Sequence, residues 1–349
     1  MTRSACLIFN PVAGQGDSEK DLATIESLLQ SHFELDIQFT TEEVGGGELA
    51  RRAIANDAKI IIASGGDGTV SALAEALVET GIPLGTIARG TANAFANALG
   101  IPDTIEAACQ VIIDGATKKV DAARCNDKPM ILLAGIGFEA ETVENADREA
   151  KNRFGTFAYL LSGLKQLQKF KQFEATIKTE EKSVTFEASA ITIANAAPAS
   201  SILAQGTEEV VHDDGLLDVT IAAPKDRMSA IASSFHLLQT ATQNKATKRD
   251  DIGYLRTKWI EVTTNPPQKV VLDGEIVGTT PVKARCIPQG LTIFAPENKE
   301  IALTEKIEQL SKARINSQEP IKEGRKKIDA KEFIEGGGKE IDSREFISE

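Results

Sequence analysis

The sequence predicts an α/β plus β fold, with an N-terminal doubly wound parallel-sheet domain and a C-terminal β-sandwich-like domain. Three observations carry this expectation. Up to about residue 120, short fully apolar runs alternate with amphipathic helical segments, the pattern of a parallel sheet covered on both faces. Beyond about residue 121 the runs turn short and β-rich and are separated by turn residues, as in antiparallel sheets. The chain has 349 residues, 42% hydrophobic and 26% charged, which is enough to build two cores.

The elements follow in order. Ala5 to Phe9 is a buried strand, and Ser18 to Ser31 is a helix with Leu22, Ile25, Leu28 and Leu29 on one face. Leu35 to Thr40 is a strand, Glu48 to Asn56 a helix, Lys59 to Ser64 a wholly apolar strand and Val70 to Glu79 a helix. Pro83 to Ala88 is a strand and Ala92 to Leu99 a helix. Strands are then predicted at 130–138, 172–179, 183–195, 216–222, 258–264, 268–273, 282–286 and 291–295, with helices near 155–170 and 226–243. Breakers such as Asn265-Pro266-Pro267 and Asp273-Gly274 punctuate this half. Residues 301–314 have a helical pattern, and the remaining tail is charge-rich and broken by Gly336-Gly337-Gly338. The expected domains are 1–121, 122–296 (the last strand being free to return to the first domain) and a charged tail at 297–349.

Composition excludes several classes of function. A net charge of -12 argues against nucleic acid as a partner, so any anionic ligand must meet a local basic patch. Cys6, Cys109, Cys125 and Cys286 are scattered without a Cys-x-x-Cys pair, and His32, His212 and His236 are the only histidines, so zinc is not expected. The longest clean apolar stretch, Met130 to Phe138, falls far short of the roughly 20 residues that cross a bilayer. The expectation is a cytoplasmic protein able to touch the inner membrane face. The segment Arg148 to Phe173 suits that contact, with six basic residues, one acid and interleaved Phe154, Phe157, Tyr159 and Phe170. A core-packed helix with a solvated basic face fits the same segment. Oligomeric state is not readable.

Three turns carry the chemistry. Ile60 to Ser64 runs into Gly65-Gly66-Asp67-Gly68-Thr69-Val70, a strand, a glycine-rich turn and a helix start. Glycines let the main chain approach phosphate oxygens, and a helix N-terminus favours the anion. Asp67 is placed to position Mg2+ or a basic partner, and Thr69 to cap the helix. Read alone, the segment fits a ligand-free tight turn equally well, and no Gly-Lys-Ser/Thr follows to make it a P-loop. Similar turns occur at Asn10-Pro11-Val12-Ala13-Gly14 and Arg89-Gly90-Thr91-Ala92-Asn93. A parallel sheet gathers all three at one edge.

Asn10-Pro11-x-x-Gly14, Gly65-Gly66-Asp67-Gly68-Thr69 and Gly90-Thr91-Ala92-Asn93-x-Phe95-Ala96 resemble the ordered motifs of the diacylglycerol kinase catalytic domain family, nearest to its bacterial soluble lipid kinases. The resemblance continues through Gly135-Ile136-Gly137-Phe138-Glu139-Ala140, Asp213-Asp214-Gly215-Leu216-Leu217-Asp218 and Asp273-Gly274-Glu275, spanning roughly 4–296. It implies that ATP, with Mg2+, binds near Asn10, Thr41, Gly65, Gly66, Asp67, Gly68, Thr69, Val70, Ser71 and Thr91. It implies that the active site lies in the cleft between the domains, and that Asp273 and Glu275 are catalytic carboxylates, one of them a general base on the acceptor hydroxyl. It implies a structural metal held by the Asp214 carboxylate and the carbonyls of Val211 and Leu216. The implied activity transfers the γ-phosphoryl group to a hydroxyl of a diacylglycerol-like lipid presented at a membrane surface. Two positions depart from the pattern: Val70-Ser71-Ala72 stands where relatives carry Asn-Glu, and Ala88-Arg89-Gly90 where Pro is frequent. Two other readings stay open, a kinase for a soluble substrate such as NAD and a non-catalytic nucleotide- or lipid-binding regulator.

Overall fold

A computed structural model describes residues 3–14, 16–137, 172–197, 210–224, 249–296 and 314–317. Strands β1 (Arg3–Phe9), β2 (Phe33–Phe39), β3 (Ile61–Gly65) and β4 (Leu84–Ala88) lie parallel in the order β4-β3-β1-β2. From Ala5 to Phe9, and throughout β3 and β4, every residue is buried, as central parallel strands require. Alternate β1 residues serve opposite faces. Leu7 and Phe9 pack with Ile25 and Leu29 of α1 (Ser18–Leu29) and Cys109 and Ile112 of α5 (Ile105–Asp114). Cys6 and Ile8 pack with Leu49 of α2 (Gly46–Ala55), Leu73 of α3 (Asp67–Leu77) and Phe95 of α4 (Ala94–Ala98). This is the doubly wound arrangement expected. Helix α5 is not among the predicted elements, although Thr104 caps its start through the Ala107 N–H and Gly115 ends it at φ +77°.

The later strands are β5 (Thr117–Cys125), β6 (Lys128–Met130), β7 (Leu133–Gly137), β8 (Phe173–Lys178), β9 (Lys182–Ala188), β10 (Ala190–Ala194), β11 (Leu217–Ala222), β12 (Ile252–Thr257), β13 (Trp259–Asn265), β14 (Lys269–Leu272), β15 (Glu275–Thr279), β16 (Val282–Phe294) and β17 (Arg314–Ser317). One antiparallel sheet runs β12-β11-β10-β7-β14-β15. Its inner face, including Ile136, Ile193, Val219 and Leu272, packs on Phe173, Phe186, Val262 and Ala284 of β8, β9, β13 and β16, completing a sandwich. The strand predicted at 183–195 is therefore two strands in two sheets, divided at Ser189. The pair predicted at 282–286 and 291–295 is the single strand β16, kinked by a bulge between Ile287 and Leu291. Strands β5, β6, β12, β15 and β17 were not predicted. The predicted helices near 155–170 and 226–243, and Arg148 to Lys171 of the basic segment, lie outside the described residues.

Strand β16 makes the first sheet continuous through both halves. Its start pairs with β13, its end meets β4 in parallel at Ile293 and Leu84, and β5 runs beside it on both sides of the bulge. At the bulge, Gln289 sits at φ +53° and its N–H donates to Asp121 Oδ1 at 2.8 Å. At the far end of the sheet, β17 pairs antiparallel with residues 182–185 of β9. Within the predicted 301–314 helix only Arg314 is described, and it begins this strand.

An open strand edge is a pairing surface, and β17 closes part of one. A chain ending at residue 296 is expected to exchange the amides of residues 182–185 at least about tenfold faster than the full chain, with Phe173–Lys178 unchanged. Hydrogen exchange followed by mass spectrometry checks this, and equal protection in both chains refutes it.

Candidate active site

The parallel strands deliver three turns to one sheet edge. After β3, Gly66 is the N-cap of α3, and no side chain caps this helix. Thr69 does not cap it, contrary to expectation. It lies a turn inside, buried, and its hydroxyl accepts a hydrogen bond from Asn10 Nδ2 at 2.9 Å. Asn10 Oδ1 meanwhile accepts from the Val12 N–H at 3.1 Å, so one side chain joins the end of β1 to the glycine turn. A Cβ on Gly65 would stand 2.6 Å from Thr69 Oγ1, and one on Gly90 would stand 2.7 Å from Gly66 Cα. The two glycine turns thus touch main chain to main chain, which only glycine allows. Gly68 differs: a Cβ there meets nothing within 4 Å.

Arg89 lies beneath these turns with its side chain only 3% exposed. Its Nε donates to Asp21 Oδ2 of α1 at 2.9 Å, its Nη1 donates to the Asn10 carbonyl at 3.0 Å, and its guanidinium stacks 4.2 Å above the Phe9 ring. Its main-chain N–H donates to the Gly65 carbonyl at 2.8 Å. A Cβ on Gly14 would press on the Arg89 carbonyl oxygen at 2.9 Å. In the sequence Arg89 stands as the first residue of the third turn and as a departure from the family pattern, with no role assigned to it. The signal that could have singled it out is that the three turns hold no other lysine or arginine.

The other predicted nucleotide residues take different places. Val70 turns its side chain into the core, so only its main chain is available to a ligand. Ser71 is half-buried on α3, and Thr91 is exposed in its turn. The Thr41 hydroxyl serves a local turn after β2, accepting from the Val44 N–H at 3.1 Å and donating to Glu43 at 2.9 Å. Asp67 Oδ1 accepts from the Phe95 N–H at 3.3 Å, tying the first turn of α3 to the start of α4, and burial raises its carboxyl above the usual range.

Asp273-Gly274 is a hairpin turn between β14 and β15, with both residues at positive φ, as its sequence suggests. Its carboxylate reaches the segment that leads into the neighbouring strand β7. Asp273 Oδ2 accepts from the Ile131 N–H at 2.9 Å, and Oδ1 accepts from Leu132 and Leu133 at 3.0 and 2.9 Å. Ile131 and Leu132 belong to the same core as Val70 and Phe95, which brings the Asp273 turn toward the 65–69 glycine turn. Burial pushes Asp273 up to about 6 against these three donors, and the charge of Asp67 pushes the same way. Glu275, two residues on, is exposed.

The Asp214 loop is held differently. Its carboxylate pairs with Arg256 and accepts from the Leu216 N–H at 3.0 Å, while Arg256 Nε lies 3.2 Å from Asp218 Oδ1. Val211 and Leu216 flank Asp214 here, but a cation would have to share its carboxylate with the guanidinium. Among the described residues no group of three or more His, Cys, Asp or Glu side chains gathers as a metal site.

Residues 4–125 match the diacylglycerol kinase catalytic domain, and residues 133–295 match the YegS C-terminal NAD kinase beta sandwich-like domain. The chain belongs to the diacylglycerol kinase catalytic-domain family. It is thus a phosphotransferase with an alcohol acceptor, and the two-domain architecture agrees with that of the family. Similar proteins include uncharacterized protein sll0036 of Synechocystis sp., 51% identical over 306 residues, covering 84% of this chain and 71% of that protein. The diacylglycerol kinase of Staphylococcus epidermidis is 28% identical over 301 residues, covering 85% of this chain and 94% of its own. A crystal structure of a candidate diacylglycerol kinase from Bacillus anthracis superposes with a TM-score of 0.73 at 27% identity, over 84% of this chain and 97% of that one. Among the described residues of this kinase no helix is long and apolar enough to cross a membrane.

Gly68 offers a clean test of whether the 65–69 turn receives phosphate, because an added methyl meets nothing within 4 Å. Gly68→Ala is expected to keep the melting temperature within about 2 °C, since the fold-energy change stays within about 0.5 kcal/mol. Its affinity for MgATP is expected to fall about tenfold or more as the methyl meets the phosphates. Thermal melting beside isothermal titration checks both, and unchanged affinity would remove Gly68 from the phosphate site.

Proposed function

We propose that this kinase transfers the γ-phosphoryl group of ATP to a hydroxyl of a diacylglycerol-like lipid presented at a membrane surface, with Mg2+ accompanying the nucleotide. One observation carries the reading: the hairpin carboxyl Asp273 holds the N–H groups of Ile131, Leu132 and Leu133, and Ile131 and Leu132 share one core with Val70 and Phe95 beside the glycine turn of Asp67. An uncapped helix start and a turn bearing two carboxylates therefore share one locale, where anion binding and proton removal meet.

The nucleotide supplies the transferable phosphoryl group, and the divalent ion offsets its charge. The protein supplies position. The open N–H groups at the start of α3 and the bare main chain of Gly66 and Gly90 receive phosphate oxygens. Asn10 sets the height of Thr69 beneath them. Asp273, spent on three main-chain donors, fixes the turn from which Glu275 projects. Glu275 is the exposed carboxylate, open to an acceptor hydroxyl, and serves as general base. The reaction needs alignment and charge balance more than covalent machinery.

Two measurements test this. In a panel with γ-labelled ATP, label is expected to enter the organic phase with diacylglycerol-like lipids; label kept aqueous with NAD as acceptor would overturn the lipid assignment. Glu275→Gln is expected to lower kcat by about 10²- to 10⁴-fold with little change in the KM for ATP. Retained turnover would remove Glu275 as base.

Acidification supplies a further expectation. Asp273 is raised to about 6, above the ordinary range near 4. The folded chain therefore holds this proton to a higher pH than the unfolded chain does. Deprotonation above about pH 6 costs the fold, and this group's contribution to stability grows as pH falls through 6. Its grip on the 131–133 N–H groups is nonetheless strongest as a carboxylate. Turnover is expected to fall with a midpoint near pH 6, and that limb is expected to vanish from the residual activity of Asp273→Asn. A pH-rate profile of both proteins decides.

A further inference from the structure

We infer that Arg89 is the positioning residue of the nucleotide site, the one fixed cation that locks the three turns together and underlies the bound phosphates. This rests on the ATP-dependent reading above. In the four segments at this sheet edge, 10–16, 40–47, 65–71 and 88–95, Arg89 is the one lysine or arginine, against the carboxylates Glu42, Glu43 and Asp67. A triphosphate brought to those segments meets net negative charge even with Arg89 in place, and without it would meet one positive charge fewer.

The contacts of Arg89 assign it a role that no single turn could fill. Through Phe9 and the Asn10 carbonyl it holds the end of β1, and through Asp21 it holds the first half of α1. Through its own main chain it holds Gly65 and backs Gly14. Asn10, fixed at its carbonyl by Arg89, passes the constraint to Thr69 through its amide. The height of the α3 start relative to the first turn therefore depends on one guanidinium. Lysine cannot replace it, because its two side-chain bonds diverge from Nε and Nη1, and an ammonium has one nitrogen.

A second feature points outward. Among the described residues nothing accepts from Arg89 Nη2, although the atom is buried. A guanidinium N–H left unpaired in a protein interior is costly. Its charge is met by Asp21, whose side chain is 26% exposed, so that pairing stands partly in solvent. The buried Nη2 donor beneath the turns is the one part of this guanidinium that the described residues leave unused.

The test measures MgATP and MgADP dissociation constants by titration calorimetry, with melting temperatures taken with and without nucleotide. It uses full-length wild type, Arg89→Lys, Arg89→Met and Asp21→Asn. Expected losses of affinity are about tenfold for Arg89→Lys, about 30-fold or more for Arg89→Met and about threefold for Asp21→Asn, each with a reduced nucleotide-induced rise in melting temperature. The KM for the acceptor is expected to stay within about twofold, since the proposed base Glu275 lies in the other domain. If the variants melt lower yet bind nucleotide within twofold of wild type, Arg89 is merely structural and the inference falls while the ATP reading stands. If wild type itself binds no nucleotide, the ATP reading fails and takes this inference with it. Should Arg89→Met not fold, Arg89→Lys and Asp21→Asn decide by the same twofold criterion.

Discussion

Between Met130 and Ala134 the chain passes from one sheet to the other, and its buried main-chain groups must find partners there. Asp273 takes the N–H groups of Ile131, Leu132 and Leu133. On the opposite side, Asn195 Nδ2 donates to the Ile131 carbonyl at 2.9 Å, and the N–H groups of Asn195 and Ala196 donate to the Leu132 carbonyl at 2.8 and 3.1 Å. A segment of three residues is thereby held by two others nearly 80 residues apart in sequence. The side chains of Ile131 and Leu132 enter the core beneath α3 and α4. The hairpin carrying Glu275 is anchored to the phosphate-loop domain by this crossing, and the placement of the two halves of the site follows from it.

The second tie is strand β16. A single strand shared by a parallel and an antiparallel neighbourhood must change direction, and the bulge at Gln289 and Gly290 provides the change. Asp121 holds that bulge through the Gln289 N–H and holds the Gly215 turn at 2.6 Å with its other oxygen. Burial raises the Asp121 carboxyl while these two donors oppose the shift. The Asn195 amide also donates to the Asp121 carbonyl at 3.0 Å, so the two ties share a residue at each end. Catalysis by positioning needs this kind of rigidity, since small displacements of reacting groups are costly.

Much of the N-terminal half was legible because its signals are local. An all-apolar strand, a glycine turn and an amphipathic helix each declare themselves within a dozen residues, and Ile61–Gly65 followed by α3 lies close to its predicted place. The boundary of α3 came three residues early, because Asp67 and Gly68 look like loop residues yet already have helical geometry. Helix α5 shows the opposite lapse, a capped amphipathic segment passed over beside more conspicuous turns. In the C-terminal half, strand existence was clearer than strand number. Ser189 and the β16 bulge are invisible to period-two alternation, since both are defined by which sheet the next residue joins.

By itself, the sequence determined the alternation of elements, the three glycine turns at one sheet edge, the motif order that marks the family and the carboxylates at 67, 273 and 275. These follow from local backbone freedom and hydrophobic period, which neighbouring residues suffice to specify. Tertiary structure alone decided that Asp273 grips the 131–133 main chain and leaves Glu275 exposed, that Val70 is core, that Asp214 is paired with Arg256, and that Arg89 binds three turns into one. Each of those outcomes depends on which groups lose water together when distant segments pack. Burial, and the demand that every buried donor and charge find a partner, is a property of the assembled fold and not of any stretch of chain.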